Sequence, residues 1–195
     1  STSGVWLAGR RNGKIARSTD GAQSFSEVTL PAGSSANAIL SIAGNGSGKF
    51  VTGQDERLYI STDDGASFSA STPFTAEDIN GVAYTNQTWI VTYTKSGESN
   101  LYARTASDSD LTTWSSEQDL GIAKPDSRPD INEPGPVANI ATYKGHVVVV
   151  PNRITSVARF DVSSTSISNL STITLSIEKP RSITTDGIVY MMVTE

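Results

Sequence analysis

The sequence predicts an all-β fold, on three observations. No stretch holds a helical period for more than two turns, whereas short apolar, β-branched runs alternate with turn residues throughout. Serine and threonine make up about a quarter of the 195 residues, with 16 glycines besides, well above ordinary usage. One short pattern also recurs: Asp20, Asp63, Asp110 and Asp161 stand at intervals of 43, 47 and 51 residues. A period of roughly 40 to 50 residues is the mark of a chain built from repeated β units, as propellers or arrays.

The pattern is clearest at Ser61-Thr62-Asp63-Asp64-Gly65-Ala66-Ser67-Phe68. Tyr59 and Ile60 lead into it and Ser69 to Thr72 lead out, so an Asp-Gly cluster sits between two β-prone runs, which is a hairpin signal. Each residue has a part to play there. A short carboxylate accepts backbone N–H groups a few residues on, Gly65 takes a positive φ without a Cβ clash, Ser61 and Ser67 tie the strand ends, and Phe68 is the apolar peg. Ser18-Thr19-Asp20-Gly21-Ala22-Gln23-Ser24-Phe25 repeats the pattern with its glycine one place early. Ser109-Asp110-Leu111-Thr112-Thr113-Trp114 is a third copy with Asp110 closer to its aromatic, and Asp161 in Arg159-Phe160-Asp161-Val162 is a decayed fourth.

This pattern resembles the Asp-box, the hairpin repeat of sialidase-type (BNR) β-propellers. The resemblance implies a β-propeller of about four to five four-stranded antiparallel blades, incomplete or closed by a partner. It also implies that Ser18, Asp20, Phe25, Ser61, Asp63, Gly65, Phe68, Asp110 and Trp114 are structural, since the boxes join the two outer strands of a blade on the side away from the usual ligand face. The third copy is similar to the degenerate boxes of bacteriophage tail and particle proteins, which implies a virion or extracellular setting.

A single domain over 1–195 accommodates repeats at approximately 1–31, 32–73, 74–121, 137–180 and 181–195. With strands lettered a to d from the axis outward, the first repeat lacks a and starts at b with Val5 to Ala8. The turn Asn12-Gly13 leads into c at Ile15 to Arg17. The second repeat has a at Ala36 to Ile42, b at Phe50 to Thr52, c at Leu58 to Ser61, and d from Phe68. The third has Gly81 to Tyr84, Trp89 to Thr94, Leu101 to Thr105, and d from Trp114. The fourth has Ala138 to Tyr143, His146 to Val150, Ser156 to Asp161, and Asn169 to Leu175. The chain closes with a at Ser182 to Thr184, a turn at Asp186-Gly187, and b at Ile188 to Val193. Five b strands against four each of a, c and d leave one surplus, and unpaired sheet edges need cover. A protein partner or a second copy of the same chain is therefore expected at an open blade edge. Residues 121–136 break the rhythm with four prolines, which excludes a helix or a central strand there.

Composition bounds the function. A net charge of −5 argues against a nucleic-acid partner. There is no cysteine, hence no disulfide framework and no thiolate site. No apolar run approaches the roughly 18 residues of a membrane span. No His/Cys cluster or calcium loop is present, so no metal and no cofactor is expected. His146, the single histidine, begins a strand, where partial burial is the expected fate. The candidate binding residues are charges in the b–c and d–a connections, which emerge together on one face: Arg10, Arg11, Asp55, Arg57, Arg128, Asp130, Arg153 and Arg181. Sialidase chemistry would need three arginines on the substrate carboxylate, a Tyr–Glu nucleophile pair and an acid/base Asp. The nearest approach to the F-R-I-P stretch of those enzymes is Asn152-Arg153-Ile154-Thr155, and the sequence offers no place for a Tyr–Glu pair. The expectation is a non-enzymatic binding or structural module holding a protein or glycan partner. A fragment of a sialidase-like glycoside hydrolase and a carbohydrate-binding lectin are the alternatives.

Overall fold

The computed structural model describes residues 4–10, 13–31, 37–76, 78–125, 137–176, 180–185 and 190–194, the last group and 181–182 as backbone only. Among the described residues, seventeen antiparallel strands form five sheets in chain order. The first sheet has three strands, β1 (Trp6–Gly9), β2 (Ile15–Ser18) and β3 (Ser26–Val28). The second has β4 (Ser41–Gly44), β5 (Phe50–Gln54), β6 (Arg57–Ser61) and β7 (Ser69–Ser71). The third has β8 (Ile79–Thr85), β9 (Thr88–Tyr93), β10 (Asn100–Ser107) and β11 (Gln118–Ala123). The fourth has β12 (Ala138–Tyr143), β13 (His146–Pro151), β14 (Ser156–Ser163) and β15 (Ser166–Thr174), and the fifth has β16 (Pro180–Thr185) and β17 (Tyr190–Thr194). Each sheet is a meander, with the chain passing from an inner strand outward and then returning to the inner strand of the next sheet. The inner strands β4, β8, β12 and β16 pack in succession, and β1 lies against β4. This is an open, propeller-like arrangement, and among the described residues no helix is long and apolar enough to cross a membrane.

Every core cluster lies between two consecutive sheets. Leu7, Ile15 and Val28 of the first sheet meet Phe50, Tyr59 and Phe68 of the second. Val51 and Leu58 on the reverse of the second meet Trp89, Tyr93 and Tyr102 of the third. Ile90, Leu101 and Leu120 meet Val147, Val149 and Phe160 of the fourth, whose Val148, Val150 and Val157 meet Ile183 of the fifth. The run Val147 to Val150 shows why: side chains alternate along a strand, so successive valines serve opposite neighbours. A strand buried on both faces reads as a continuous apolar run.

Several strand boundaries differ from expectation, among them β15, which starts at Ser166 rather than Asn169. The outer strand of the third sheet starts at Gln118, not Trp114. Ser115 still exchanges bonds with Thr105, N–H to carbonyl at 2.8 Å and hydroxyl from N–H at 3.0 Å, but the chain then departs before pairing again. Because β11 runs to Ala123, the proline-rich connection starts later than residue 121; 126–136, with Arg128 and Asp130, lie outside the described residues. Strand β4 begins at Ser41, since Asn37 to Leu40 form a loop. Asp161 is not a turn residue at all. It lies within β14, and the turn to β15 is Ser164-Thr165, both at positive φ.

Candidate functional site

The box turns connect β2 to β3, β6 to β7 and β10 to β11. Asp63 accepts the Ser61 hydroxyl at 2.7 Å, the Ser67 N–H at 3.0 Å and the Ser67 hydroxyl at 2.6 Å, while Gly65 N–H donates to the Ser61 hydroxyl at 2.9 Å. Asp20 repeats this with Ser18 at 2.6 Å, Ser24 N–H at 3.0 Å and the Ser24 hydroxyl at 2.5 Å. Both carboxyls are held below the usual range by these donors, Asp63 down to about 2. Asp110 is lowered to about 2 by Thr112 and Thr113. With their acceptor capacity turned inward, Asp20 and Asp63 fix hairpins. Phe68 is buried, Trp114 half-buried against the second sheet, and Phe25 is exposed.

The opposite rim carries the b–c and d–a connections, because the sheets are antiparallel meanders. Here consecutive sheets are stapled by their backbones: Ile39 N–H donates to the Arg10 carbonyl at 3.0 Å, and Ile79 N–H to the Asp55 carbonyl at 2.7 Å. Arg153 N–H bonds the Pro180 carbonyl at 3.2 Å at a later boundary. Asp55 and Arg153 both hold positive φ, 49° and 63°. Between the second and third sheets the staple leaves a cleft of about 250 Å³ lined by Asn37, Ala38, Leu40, Gln54, Asp55, Asp78 and Ile79. Its lining combines aliphatic Ala38, Leu40 and Ile79 with two carboxylates and two amides, of which the Gln54 amide is buried. Asn37 donates to the Asp55 carboxylate at 2.9 Å, and the Gln54 amide donates to the Asn37 carbonyl at 2.6 Å.

Of the charges singled out in the sequence, only Asp55 lines this cleft. Arg10 pairs with Glu27 at 3.4 Å and Arg57 with Glu56 at 3.4 Å. Arg153 belongs to the boundary of the fourth and fifth sheets. Arg181 lies on β16 with only its backbone described, and Arg11 falls outside the described residues. The cleft residues Asn37, Gln54 and Asp78 were not legible as a site. The signal available was the equivalence of Ala38-Ile39 and Asp78-Ile79, each entering an inner strand opposite a glycine of the preceding sheet, Gly9 and Gly53. A Cβ at Gly53 would stand 2.1 Å from Ile79 and one at Gly9 2.6 Å from Ile39.

Two Tyr–Glu contacts, for which the sequence offered no place, are present, the longer being the Tyr102 hydroxyl donating to exposed Glu98 at 3.4 Å. The Tyr93 hydroxyl donates to Glu117 at 2.7 Å and receives Arg104 Nε–H at 3.0 Å, and Lys95 binds the other Glu117 oxygen at 2.7 Å. Tyr93 is fully buried, packed on Phe74 at 4.7 Å between ring centroids. Burial, and then the bond to Glu117, push its phenol well above the ordinary value. Burial alone would raise Glu117, but Lys95 and Tyr93 outweigh it and lower its carboxyl. A phenol so held stays protonated and is closed to a substrate in this arrangement, so the pair ties β9 to the connection before β11. His146 is exposed rather than partly buried, with Nδ1 2.6 Å from Asp161, whose other oxygen accepts from Asn169 at 2.7 Å. Among the described residues no group of acidic and histidine side chains is arranged to hold a metal ion.

No protein-family model matches this chain, and no curated protein matches it. Solved structures do. A chain of the mitotic checkpoint complex superposes with a TM-score of 0.69 at 9% identity, over 98% of this chain and 57% of that one. The WD40 domain of Toxoplasma gondii coronin gives 0.67 at 11%, over 99% and 50%. An ancestral GH74 enzyme gives 0.57 at 16%, over 84% and 22%. The chain thus spans between about a fifth and three fifths of these structures. At such identities the likeness establishes the fold alone: a distant all-β, propeller-like structure.

Proposed function

We infer that the chain is a non-catalytic binding or scaffolding module that grips a polar partner on its loop face, at the cleft between the second and third sheets. The observation that carries this reading is the cleft itself: aliphatic Leu40 and Ile79 beside the carboxylates of Asp55 and Asp78 and the amides of Asn37 and Gln54. Such a combination suits a hydroxyl-rich glycan or a protein segment offering a basic side chain, because convergent polar groups over an apolar floor fix orientation. The burial of Tyr93 supports the non-catalytic part, since the shorter of the two Tyr–Glu contacts in the described residues keeps its phenol in the core. The likeness of Ser109 to Trp114 to boxes in phage tail and particle proteins supports a virion or extracellular setting.

Glycan and peptide arrays probed with the purified chain test the reading. Retained ligands should lose affinity on Asp55→Asn and Asp78→Asn while the thermal midpoint falls only slightly, because both side chains are half-buried and partly solvated charges contribute little to stability. Ligands indifferent to both substitutions would remove the cleft from the account.

A further inference from the structure

Among the described residues, five pairs of consecutive residues hold positive φ: Gly21-Ala22, Asp64-Gly65, Asn86-Gln87, Lys144-Gly145 and Ser164-Thr165. Three of these pairs contain a glycine, which enters this region without a Cβ clash. Asn86-Gln87 and Ser164-Thr165 do not. Asn86 tolerates the region through its short amide, but Gln87 at 59°, Ser164 at 46° and above all β-branched Thr165 at 68° are poorly suited to it. Such residues persist where something outweighs their cost, and they gather at ligand clamps and other functional sites.

The turns themselves do not need these side chains. Gln87 offers its carbonyl to the Asp108 N–H at 2.9 Å, and Thr165 offers its carbonyl to the Thr105 hydroxyl. Glycine at either position would make the same bond. Among the described residues, the amides of Asn86 and Gln87 and the hydroxyls of Ser164 and Thr165 hydrogen-bond no other group. Their donors and acceptors are unspent.

The two turns share a pocket. Asn86-Gln87 joins β8 to β9 in the third sheet, and Ser164-Thr165 joins β14 to β15 in the fourth. With Thr88 and Ser107 they line a space of about 430 Å³, within the roughly 300–1,000 Å³ of small-ligand sites. Its walls are fixed across the sheet boundary by the bond from Thr105 to Thr165 and by the Gly145 N–H, which donates to the Thr85 hydroxyl at 3.0 Å. Every lining side chain is an amide or a hydroxyl, and none is charged.

We propose that this pocket is a second binding site, for a neutral saccharide. Amides and hydroxyls both donate and accept, as the hydroxyls of a sugar ring do, so each lining group can match a ligand group in either sense. An ionised ligand would find no opposite charge among the lining residues, which sets this pocket apart from the Asp55 cleft. The two sites are also distinct in place. The turns after β8 and β14 emerge on the rim that carries the box hairpins, opposite the loop face.

The test is titration of the 195-residue chain with neutral oligosaccharides built from glucose, galactose, mannose or N-acetylglucosamine, followed by backbone amide chemical shifts. At least one sugar should move the amides of Gln87, Ser164 and Thr165. The double variant Gln87→Gly with Thr165→Gly should bind that sugar roughly tenfold or more weakly, as the loss of one or two hydrogen bonds predicts. Its thermal midpoint should stay at or above the wild-type value, because glycine relieves both turns. Loss of binding without loss of stability is what a merely structural role would not produce. Sugars that move only Asp55 and Asp78 would support the loop-face reading and overturn this one. So would a panel with no shift at this pocket, unchanged affinity in the double variant, or a midpoint several degrees below wild type, which would make the side chains part of the turns.

Discussion

Phe25 and Phe68 occupy the same place in two hairpins whose hydrogen bonds match almost atom for atom, yet one is 49% exposed and the other 8%. The comparison separates two things that the repeat seems to supply together. The serine–aspartate bonds close the turn locally and need nothing beyond eight residues. Burial of the aromatic is supplied by the preceding sheet, through Ile15 and Val28 in the case of Phe68. Turn geometry is therefore a property of the repeat, and core is a property of the stack, as expected where each repeat contacts only its neighbours.

The sharpest way to break that comparison is to truncate both rings. Phe68→Ala should cost about 3–5 kcal/mol in denaturant unfolding, the cost of removing a buried phenylalanine. Phe25→Ala should stay within about 1 kcal/mol, as surface substitutions do. Equal losses would mean that Phe25 is already covered in solution and that the two hairpins do not differ. Gly53→Ala tests the next boundary from the backbone side. Its new Cβ would stand 2.1 Å from the Ile79 side chain, and overpacking of that kind costs roughly 1–3 kcal/mol. The loss should shrink in an Ile79→Ala background, where the methyl has room, and an unchanged loss there would show that Ile79 is not what Gly53 accommodates.

How far these features were legible follows from the same separation. The strands of the second to fourth sheets could be read because each is short, apolar and bounded by turn residues, and because Asp20, Asp63 and Asp110 set a period. What depended on tertiary contacts could not. Asp161 fits the period but lies within β14, where His146 and Asn169 bind its carboxylate; spacing alone does not distinguish a turn aspartate from a strand one. Trp114 looked like a strand start because it is aromatic, whereas it packs edge-on to Phe74 at 5.5 Å and its indole N–H bonds the Leu111 carbonyl at 3.0 Å. The pairing of Tyr93 with Glu117 spans 24 positions and one sheet width. The cleft at Asp55 needs three segments brought together, and Arg10 and Arg57, which looked like binding charges, have acidic partners close by.

The hairpins also differ in backbone. Ala22 holds φ 68° where Gly65 holds 73°, and an L residue with a Cβ is strained in that region by roughly 1–2 kcal/mol. Ala22→Gly should therefore raise stability by up to about 1 kcal/mol once the greater unfolded-state freedom of glycine is subtracted. The reverse exchange, Gly65→Ala, should lower it by more, because its Cβ would also stand 2.7 Å from Leu7. A stabilising Gly65→Ala would show that the two turns are not equivalent.

The smallest effect, and the one that isolates the turn from the stack, is acid sensitivity. Asp63 is depressed from 3.8 to about 2, first by the Ser67 hydroxyl, then by the Ser67 N–H and the Ser61 hydroxyl. A carboxyl whose folded value lies below its unfolded one contributes stability that is fully present above the unfolded value and is lost as pH falls through the folded one. The window for Asp63 thus runs from about pH 4 downward towards 2. Asp108, Glu117 and Asp161 are also lowered, so wild type alone would report their sum. The informative quantity is the difference between wild type and Asp63→Asn in urea midpoint against pH. That difference should favour wild type at neutral pH and narrow across the window, because the asparagine cannot titrate. The curve for Asp20→Asn should run the same way but extend to lower pH, since Asp20 has the same serine donors and also accepts the Gln23 N–H at 3.1 Å, even though no described sheet covers its hairpin. A pH-independent gap at Asp63 would mean that its serine contacts do not favour the ionised form. A window at Asp20 that closes at higher pH than that of Asp63 would mean that the neighbouring sheet, and not the turn alone, sets the carboxyl.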